Sequence, residues 1–320
     1  MPYRVGIGLR NLGYDRGYLK SFVAEVPVVS VGNLTLGGTG KTPFVEYVAR
    51  WYRNRHLRPV ILSRGYGADP GGRNDEGRVL EQNLPDVPNL EDRDRVALAR
   101  IAVEELEADL LILDDGFQHR RLRRDLDIVL LDATEPFGLG RIFPRGLLRE
   151  PLSSLRRADV VVLSRADLCD DEGREAIRRR VEGNHPGVPW VEAGHRPKSW
   201  QNADGEPLLL DALAGSSVVA FCGIGNPDAF RRTLEGIGCR VVAFRVLADH
   251  FRYDRDSVRQ LRDWIAGQKA DVSVTTQKDL VKLNVPSLAN KPLWALKIEL
   301  DVIRGGDALA WHLDRAIRNN

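Results

Sequence analysis

Residues 26–42, VPVVSVGNLTLGGTGKT, set what this chain can fold into. A β-branched run at 26–31 leads into a Gly-rich loop that closes on Gly40-Lys41-Thr42, and a helix-like segment at 44–52 follows directly. Strand, Gly-rich loop and helix in that order form the context of a phosphate-binding loop. Glycines let backbone N–H groups curl around phosphate oxygens, and the helix N-terminus adds partial positive charge. In such a loop Gly37, Gly38, Thr39 and Gly40 wrap the phosphates, Lys41 reaches the β- and γ-phosphates, and the Thr42 hydroxyl sits on Mg²⁺. The strict pattern G-x-x-x-x-G-K-[ST] asks for Gly at position 35, where the chain has Thr35. Gly37 and Gly38 are expected to supply the missing freedom. Pro43 is no obstacle, because a first helical turn has no N–H partner to lose.

Short, continuous apolar runs recur at Pro59–Ser63, 110–113, 128–131 and 160–163, as expected of parallel strands buried on both faces. Helical stretches lie between most of them, for example 94–106. The pattern predicts a doubly wound, P-loop NTPase-like α/β domain over 1–193, with a terminal helix in 305–320 docking back on it. The polar, Gly- and Pro-rich stretch 69–89 reads as a long functional loop. After a strand at 188–192, residues 194–207 (GHRPKSWQNADGEP) read as a turn-rich connector. A second alternating block follows, with strands at 218–222, Arg240–Val246 and 272–275 and helices at 228–237 and 257–266. It predicts a smaller α/β domain over 194–304, to which the run 293–300 returns as a strand.

The chain has 320 residues, 43% of them hydrophobic, and a net charge of +2, so no strongly basic nucleic-acid-binding surface is signalled and no nucleic-acid partner is expected. Cys169, Cys222 and Cys239 lie far apart without a C-x-x-C, which argues against a zinc site or a disulfide framework. No apolar run approaches the roughly 18 residues of a membrane span, and the N-terminus lacks a signal-peptide core. The expected location is the cytosol or the cytosolic face of a membrane. Residues 1–25 mix Tyr3, Arg4, Arg10, Tyr14, Arg16, Tyr18, Lys20 and Phe22. They read either as a helix lying on an anionic surface or as an arm packed on the core.

Chemistry-bearing residues cluster at predicted strand ends. The run ADLLILDDGFQH (108–119) ends a buried strand in Asp114 and Asp115, where a P-loop protein carries the acid that holds Mg²⁺. SRGYG (63–67) ends another strand; there Arg64 is placed to meet a phosphate and Tyr66 to stack or hydrogen-bond. Asp75-Glu76 follow, and His250 lies in LADHFRYD. A carboxylate and a histidine that meet can act as a general-base pair, worth roughly 10²–10⁴-fold in rate. Arginines at 120, 121, 123 and 124, and again at 141, 145 and 149, suit an anionic headgroup or form a solvated basic face. In VLSRAD (162–167), Ser164 and Arg165 replace the Asn and Lys of a guanine-recognition motif, so guanine specificity is not supported. Gly223-Ile224-Gly225 lacks the third glycine of a dinucleotide fingerprint, since Asp228 stands there.

Taken in order, VPVVSVGNLTLGGTGKTP, LSRGYG, Asp75-Glu76, LILDDGFQH, FCGIGNPDAF, LADH and TTQKD closely resemble the tetraacyldisaccharide 4'-kinase family of lipid A biosynthesis, over about residues 26–300. The combination is far more specific than any one motif. The resemblance implies transfer of the γ-phosphoryl group of ATP to the 4'-hydroxyl of a tetraacylated glucosamine disaccharide 1-phosphate, giving lipid IV-A. It implies a P-loop domain, a smaller α/β domain and a two-stranded hinge that lets a cleft close. By matching position, Lys41 contacts the phosphates, Thr42 and Glu76 serve Mg²⁺, and Asp75 with His250 activates the acceptor hydroxyl. Asp114, Asp115 and His119 match the family's DDGxQH motif near the catalytic centre, with metal and substrate duties undivided among them. Arg64, Tyr66, His119 and Arg120 are the candidate contacts to the anionic lipid substrate. The role of TTQKD stays open. Family members typically begin with a more apolar membrane-associating helix than residues 1–25 offer, so either the chain starts late or peripheral attachment to the inner membrane rests on basic residues. The alternative is a P-loop switch ATPase or GTPase of the metallochaperone or protein-targeting kind, which leaves SRGYG, LADH and the second domain without a job.

Overall fold

The computed structural model describes residues 2–65, 75–249 and 251–318. Tyr66, His250 and the 69–74 part of the expected loop lie outside them. The chain divides into two compact units, the first made of Met1–Gly67, Asn83–His195 and Leu300–Asn320, the second of Ala68–Gln82 and Arg196–Glu299.

The first unit is built on β1 (Val28–Asn33), β2 (Pro59–Ser63), β3 (Asn89–Glu91), β4 (Leu110–Asp114), β5 (Leu126–Asp132), β6 (Val160–Ser164) and the start of β7 (Trp190–Gln201). Their order is β7-β6-β5-β1-β4-β2-β3, with every pair parallel. β1, β2, β4, β5 and β6 are buried along their whole length, as their Val-, Ile- and Leu-rich sequences predict. The helices are α1 (Pro2–Asp15), α2 (Lys41–Arg53), α4 (Arg95–Glu104), α5 (Asp171–Glu182) and α9 (Gly306–Ala316). Along α2 the side chains of Phe44, Val45, Val48, Ala49 and Tyr52 share one buried face. Removing each of the larger ones from water contributes about 1.5–3 kcal/mol. The Tyr52 hydroxyl donates to the Leu313 carbonyl at 2.9 Å, which fixes α9 against α2. Strand order reverses at β1, where Val31 is in register with Asp114 on one side and Ile128 on the other. The loop leaving β1 therefore sits at the switch point, where open α/β sheets bind their ligands.

The second unit contains β9 (Ser217–Cys222), β10 (Arg240–Val246), β11 (Val272–Thr276) and most of β13 (Lys291–Arg304), all parallel in the order β10-β9-β11-β13. The short β8 (Pro207–Leu208) and β12 (Ser287–Leu288) add antiparallel to β7 and β13. Its helices are α3 (Asp75–Asn83, all but its last residue), α6 (Pro227–Gly236), α7 (Arg255–Ala266) and α8 (Gln277–Leu283). Apolar clusters cover both sheet faces, one around Trp200 and Phe230, the other around Phe221 and Leu261. The long strands β7 and β13 each run from one unit into the other.

Two expectations need correcting. Residues 194–207 are not a connector through most of their length, because β7 continues to Gln201 before the chain turns. From His195 to Ser199 exposure alternates residue by residue, a period-2 pattern that polar and Pro residues conceal. Within 69–89, the segment from Asp75 to Asn83 is helix rather than loop. Asp75 and Glu76 in its first turn suit the positive helix N-terminus, and Val79 and Leu80 are buried.

Candidate active site

The Gly-rich loop adopts the conformation its sequence calls for. Gly37 has φ 106° and Gly40 has φ 75°, a region that L side chains avoid. Gly40 is the N-cap of α2 and offers no side chain to its N–H groups, so they remain available to an anion. Thr35 is accommodated because it lies outside the tight curve. It is buried and forms a β-bridge with Leu148, while the Leu36 N–H donates to the Leu147 carbonyl at 2.7 Å. Two side chains brace the loop from beneath. Asn33 Nδ2 donates to Thr39 Oγ1 at 2.9 Å, and Ser164 Oγ donates to the Thr39 carbonyl at 2.8 Å.

Beside the loop, β4 ends in Asp114 and turns sharply at Asp115, whose φ is 55°. Asp115 accepts from Arg149 Nη1 at 2.9 and 2.7 Å, and Lys41 Nζ lies 3.5 Å from the same carboxylate. Burial pushes the Asp115 carboxyl up, but Lys41 and Arg149 outweigh it and hold the group below the usual range. Asp115 is thus an anion between two cations. The hydroxyl of Thr42 and the carboxylate of Asp114 are hard oxygen donors of the kind Mg²⁺ takes. Among the described residues no three His, Cys, Asp or Glu side chains converge as a metal cage.

His119, five residues beyond β4, faces Arg95 Nη1, 3.3 Å from its Nδ1. Burial, reinforced by Arg95, lowers its pKa to about 4. The ring is neutral at pH 7. With Nδ1 accepting from arginine, the proton sits on Nε2, which has no hydrogen-bond partner. That nitrogen is buried in the structure and carries a neutral donor, not a charge. Arg64 is exposed at the end of β2. Arg120 is engaged by α1: it pairs with Asp15 at 2.7 Å and donates to the Asn11 carbonyl at 3.1 Å. Within 120–124, Arg121 and Arg123 are exposed to solvent, but the face is not wholly free. Arg121 pairs with Asp94, and Arg124 is buried against Asp127 and the carbonyls of Gly116 and Phe117.

In the second unit Asp75 and Glu76 open α3. Lys282 Nζ lies 3.1 Å from Asp75 Oδ2, and Lys278 Nζ lies 2.9 Å from Glu76 Oε1. Sequence reasoning missed these lysines, along with Ser164 and the pairing of Arg149 with Asp115. TTQKD was visible as a motif, but nothing local says what its lysine meets. The partner sits 202 residues away for Lys278.

Curated relatives match this chain over most of its length. The tetraacyldisaccharide 4'-kinase of Anaeromyxobacter sp. (strain K) is 43% identical, with 99% of this chain and 88% of that protein covered. That of Syntrophus aciditrophicus is 40% identical, over 94% and 87%. Among solved structures, the "apo" form of LpxK from Aquifex aeolicus in complex with ATP matches with a TM-score of 0.79 and 32% identity, covering 98% of this chain and 96% of that one. The family model described as tetraacyldisaccharide-1-P 4'-kinase matches residues 1–318, and the chain belongs to that family.

Proposed function

We propose that this chain transfers the γ-phosphoryl group of ATP to the 4'-hydroxyl of a tetraacyl glucosamine disaccharide 1-phosphate, giving lipid IV-A. The observation that carries the reading is Lys41 at the head of α2, beyond a loop wrapped by Gly37 and Gly40 and 3.5 Å from Asp115. Lys41 and the N–H groups of the loop hold the triphosphate and neutralise charge that spreads over the transferring group. Thr42, Glu76, Asp114 and Asp115 are the residues that would hold Mg²⁺ through oxygen atoms. When bound, that ion would supply electrostatic stabilisation of the charge on the transferring phosphoryl group.

A sugar hydroxyl is a weak acid, so its attack is assisted by a positioned base. Asp75, in company with His250, takes the hydroxyl proton as the oxygen bonds to the γ-phosphorus. The bond from that phosphorus to the β–γ bridging oxygen breaks, and ADP leaves with the electron pair. Arg64, Tyr66 and the Nε2–H of His119 are the proposed contacts to the anionic disaccharide. Arg120 serves the substrate indirectly, by fixing α1.

The lipid acceptor places the enzyme at the cytosolic face of the inner membrane. No described helix is long and apolar enough to cross a membrane. Instead α1 exposes Val5, Leu9 and Leu12, spaced along one helical face, and Leu139 and Phe143 are also exposed, the ring of Phe143 standing edge-on to Tyr3. With Arg141 and Arg145 exposed beside Phe143, this surface suits peripheral binding to anionic lipid.

Nucleotide turnover with and without the tetraacyldisaccharide acceptor tests the reading. Negligible ADP formation until acceptor is added, abolished by Lys41→Ala, supports it. Equal rates in both arms favour the switch ATPase instead. Co-sedimentation with vesicles that rises with anionic lipid and falls with salt supports the membrane surface; indifference to both rejects it.

A further inference from the structure

Asp279, the last residue of TTQKD, is completely buried and lies at the carboxyl end of the second unit's sheet. It accepts from the Gly223 N–H at 3.2 and 3.1 Å, from the Tyr253 hydroxyl at 2.8 Å and from Thr276 Oγ1 at 2.7 Å. Thr276 is also the N-cap of α8 and accepts in return from the Asp279 N–H, a reciprocal cap that pins the first turn. This carboxylate therefore has neutral donors from three directions.

One turn further along α8, Lys282 stands 3.9 Å from Asp279 Oδ1 but only 3.1 Å from Asp75 Oδ2. The shorter contact is an ion pair rather than an aligned hydrogen bond. The ammonium is almost enclosed, and the face of Tyr253 lies 5.7 Å from it. Lys278 repeats the arrangement one turn earlier on the same face of α8, against Glu76. Consecutive acids of α3 are thus met by lysines four residues apart on a helix whose start is locked to the sheet.

We propose that Lys282 is a positioning residue for the phosphoryl transfer, holding the Asp75 carboxylate in one orientation toward the acceptor hydroxyl, with Asp279 as the fixed post behind it. This rests on the reading of Asp75 as the proton acceptor. A carboxylate free to rotate presents its lone pairs to the hydroxyl only part of the time, and small misplacements of a catalytic group cost large factors in rate. Asp279 needs Lys282 as a nearby charge and not as a hydrogen-bond donor, so Lys282 is matched to Asp75 rather than to the core.

The test uses the full-length enzyme with ATP, Mg²⁺ and the tetraacyldisaccharide acceptor. Single-turnover rates are normalised to the fraction of molecules that bind ATP, which removes any misfolded protein from the comparison. Lys282→Met and Lys282→Gln are expected to lower the chemical step roughly tenfold or more while KM for both substrates stays within about twofold. Lys282→Arg, which keeps the charge, is expected to recover most of the rate. Asp75→Asn combined with Lys282→Met is expected to be no slower than Asp75→Asn alone, because the lysine acts through the carboxylate. Wild-type rates in Lys282→Met and Lys282→Gln overturn the proposal. So do losses that multiply in the double variant. A normal rate in Asp75→Asn overturns the underlying assignment of the base, a separate failure.

Discussion

Arg149 grips both oxygens of Asp115 through one nitrogen, at 2.9 and 2.7 Å, and Lys41 waits 3.5 Å from the same carboxylate. Asp115 therefore acts as a stand-in anion beside the lysine proposed to hold the nucleotide. Arg149 moderates the competition by taking much of the carboxylate's hydrogen-bonding capacity. Without it, Asp115 and Lys41 are left to neutralise each other in a partly buried setting, where a charge pair is worth more than at the surface. Arg149→Met is expected to weaken ATP binding about tenfold, measured by equilibrium titration, because the triphosphate must first pull Lys41 away. Unchanged affinity would show that Arg149 has no influence on the lysine.

Ser164 makes a similar point about the floor of the loop. Its hydroxyl lies 2.8 Å from the Thr39 carbonyl and 3.2 Å from the Leu131 carbonyl, and it can donate to only one at a time. The nearer bond ties the loop to the end of β6. Ser164→Ala removes it and leaves a buried carbonyl less well satisfied, a loss of about 0.5–1.5 kcal/mol. That corresponds to ATP affinity lower by roughly two- to tenfold if the strain falls on the free loop. The turnover rate at saturating ATP is expected to hold, since Lys41 and Thr42 are untouched. A drop in that rate with normal affinity would argue against a brace.

Much of this was readable in advance because the signals were local. The Gly-rich loop, the paired acids after 110–113 and the alternation of apolar runs with helices each occupy a short window, and the structure places strands and helices at those positions. β7 escaped because its outer half carries Arg196, Pro197 and Lys198, so its period-2 burial hides behind a loop-like composition. α3 escaped because Asp75, Glu76, Gly77 and Asn83 look like turn residues, while its buried anchors are only Val79 and Leu80 among neighbours of mixed character. The pairings of Glu76 with Lys278 and of Asp115 with Arg149 join residues far apart in sequence, so no window contains both partners.

The pH dependence of stability follows from two histidines. Burial, together with Arg95 for His119 and Arg165 for His195, lowers both pKa values to about 4, against about 6.5 in an unfolded chain. Above pH 6.5 both rings are neutral in either state, and their contribution is fully present. Between pH 6.5 and 4 the unfolded chain binds protons that the fold refuses, so stability falls as pH drops. The limit is about 1.4 kcal/mol per pH unit for each ring. Both rings are only partly buried, which reduces the expected loss to about 1–2 kcal/mol apiece. Melting temperatures at pH 7, 5.5 and 4.5 check this. The double variant His119→Gln, His195→Gln is expected to flatten the trend across that window; an equally steep trend would place its origin in other groups.

The turn after Asp115 depends on a side chain that is missing. A Cβ on Gly116 would stand 2.5 Å from Ser30 Oγ and 2.7 Å from Leu113 Cβ, both nearer than any real carbon contact. Ser30 belongs to the central strand β1 and is fully buried, so neither it nor β4 can step aside without disturbing the sheet at the switch point. The Gly116 N–H also donates to the Val31 carbonyl at 3.1 Å, so the turn is stitched to β1 as well as packed on it. Gly116→Ala is expected to cost about 2–4 kcal/mol, the range for overpacking a rigid core and straining backbone together. It would be read as a lower midpoint in urea at constant slope. Adding Ser30→Gly removes the hydroxyl but not the Leu113 contact, so it should restore only part of the loss. A midpoint equal to wild type in the single variant would mean that the acid-bearing turn does not lie as close to β1 as this packing requires.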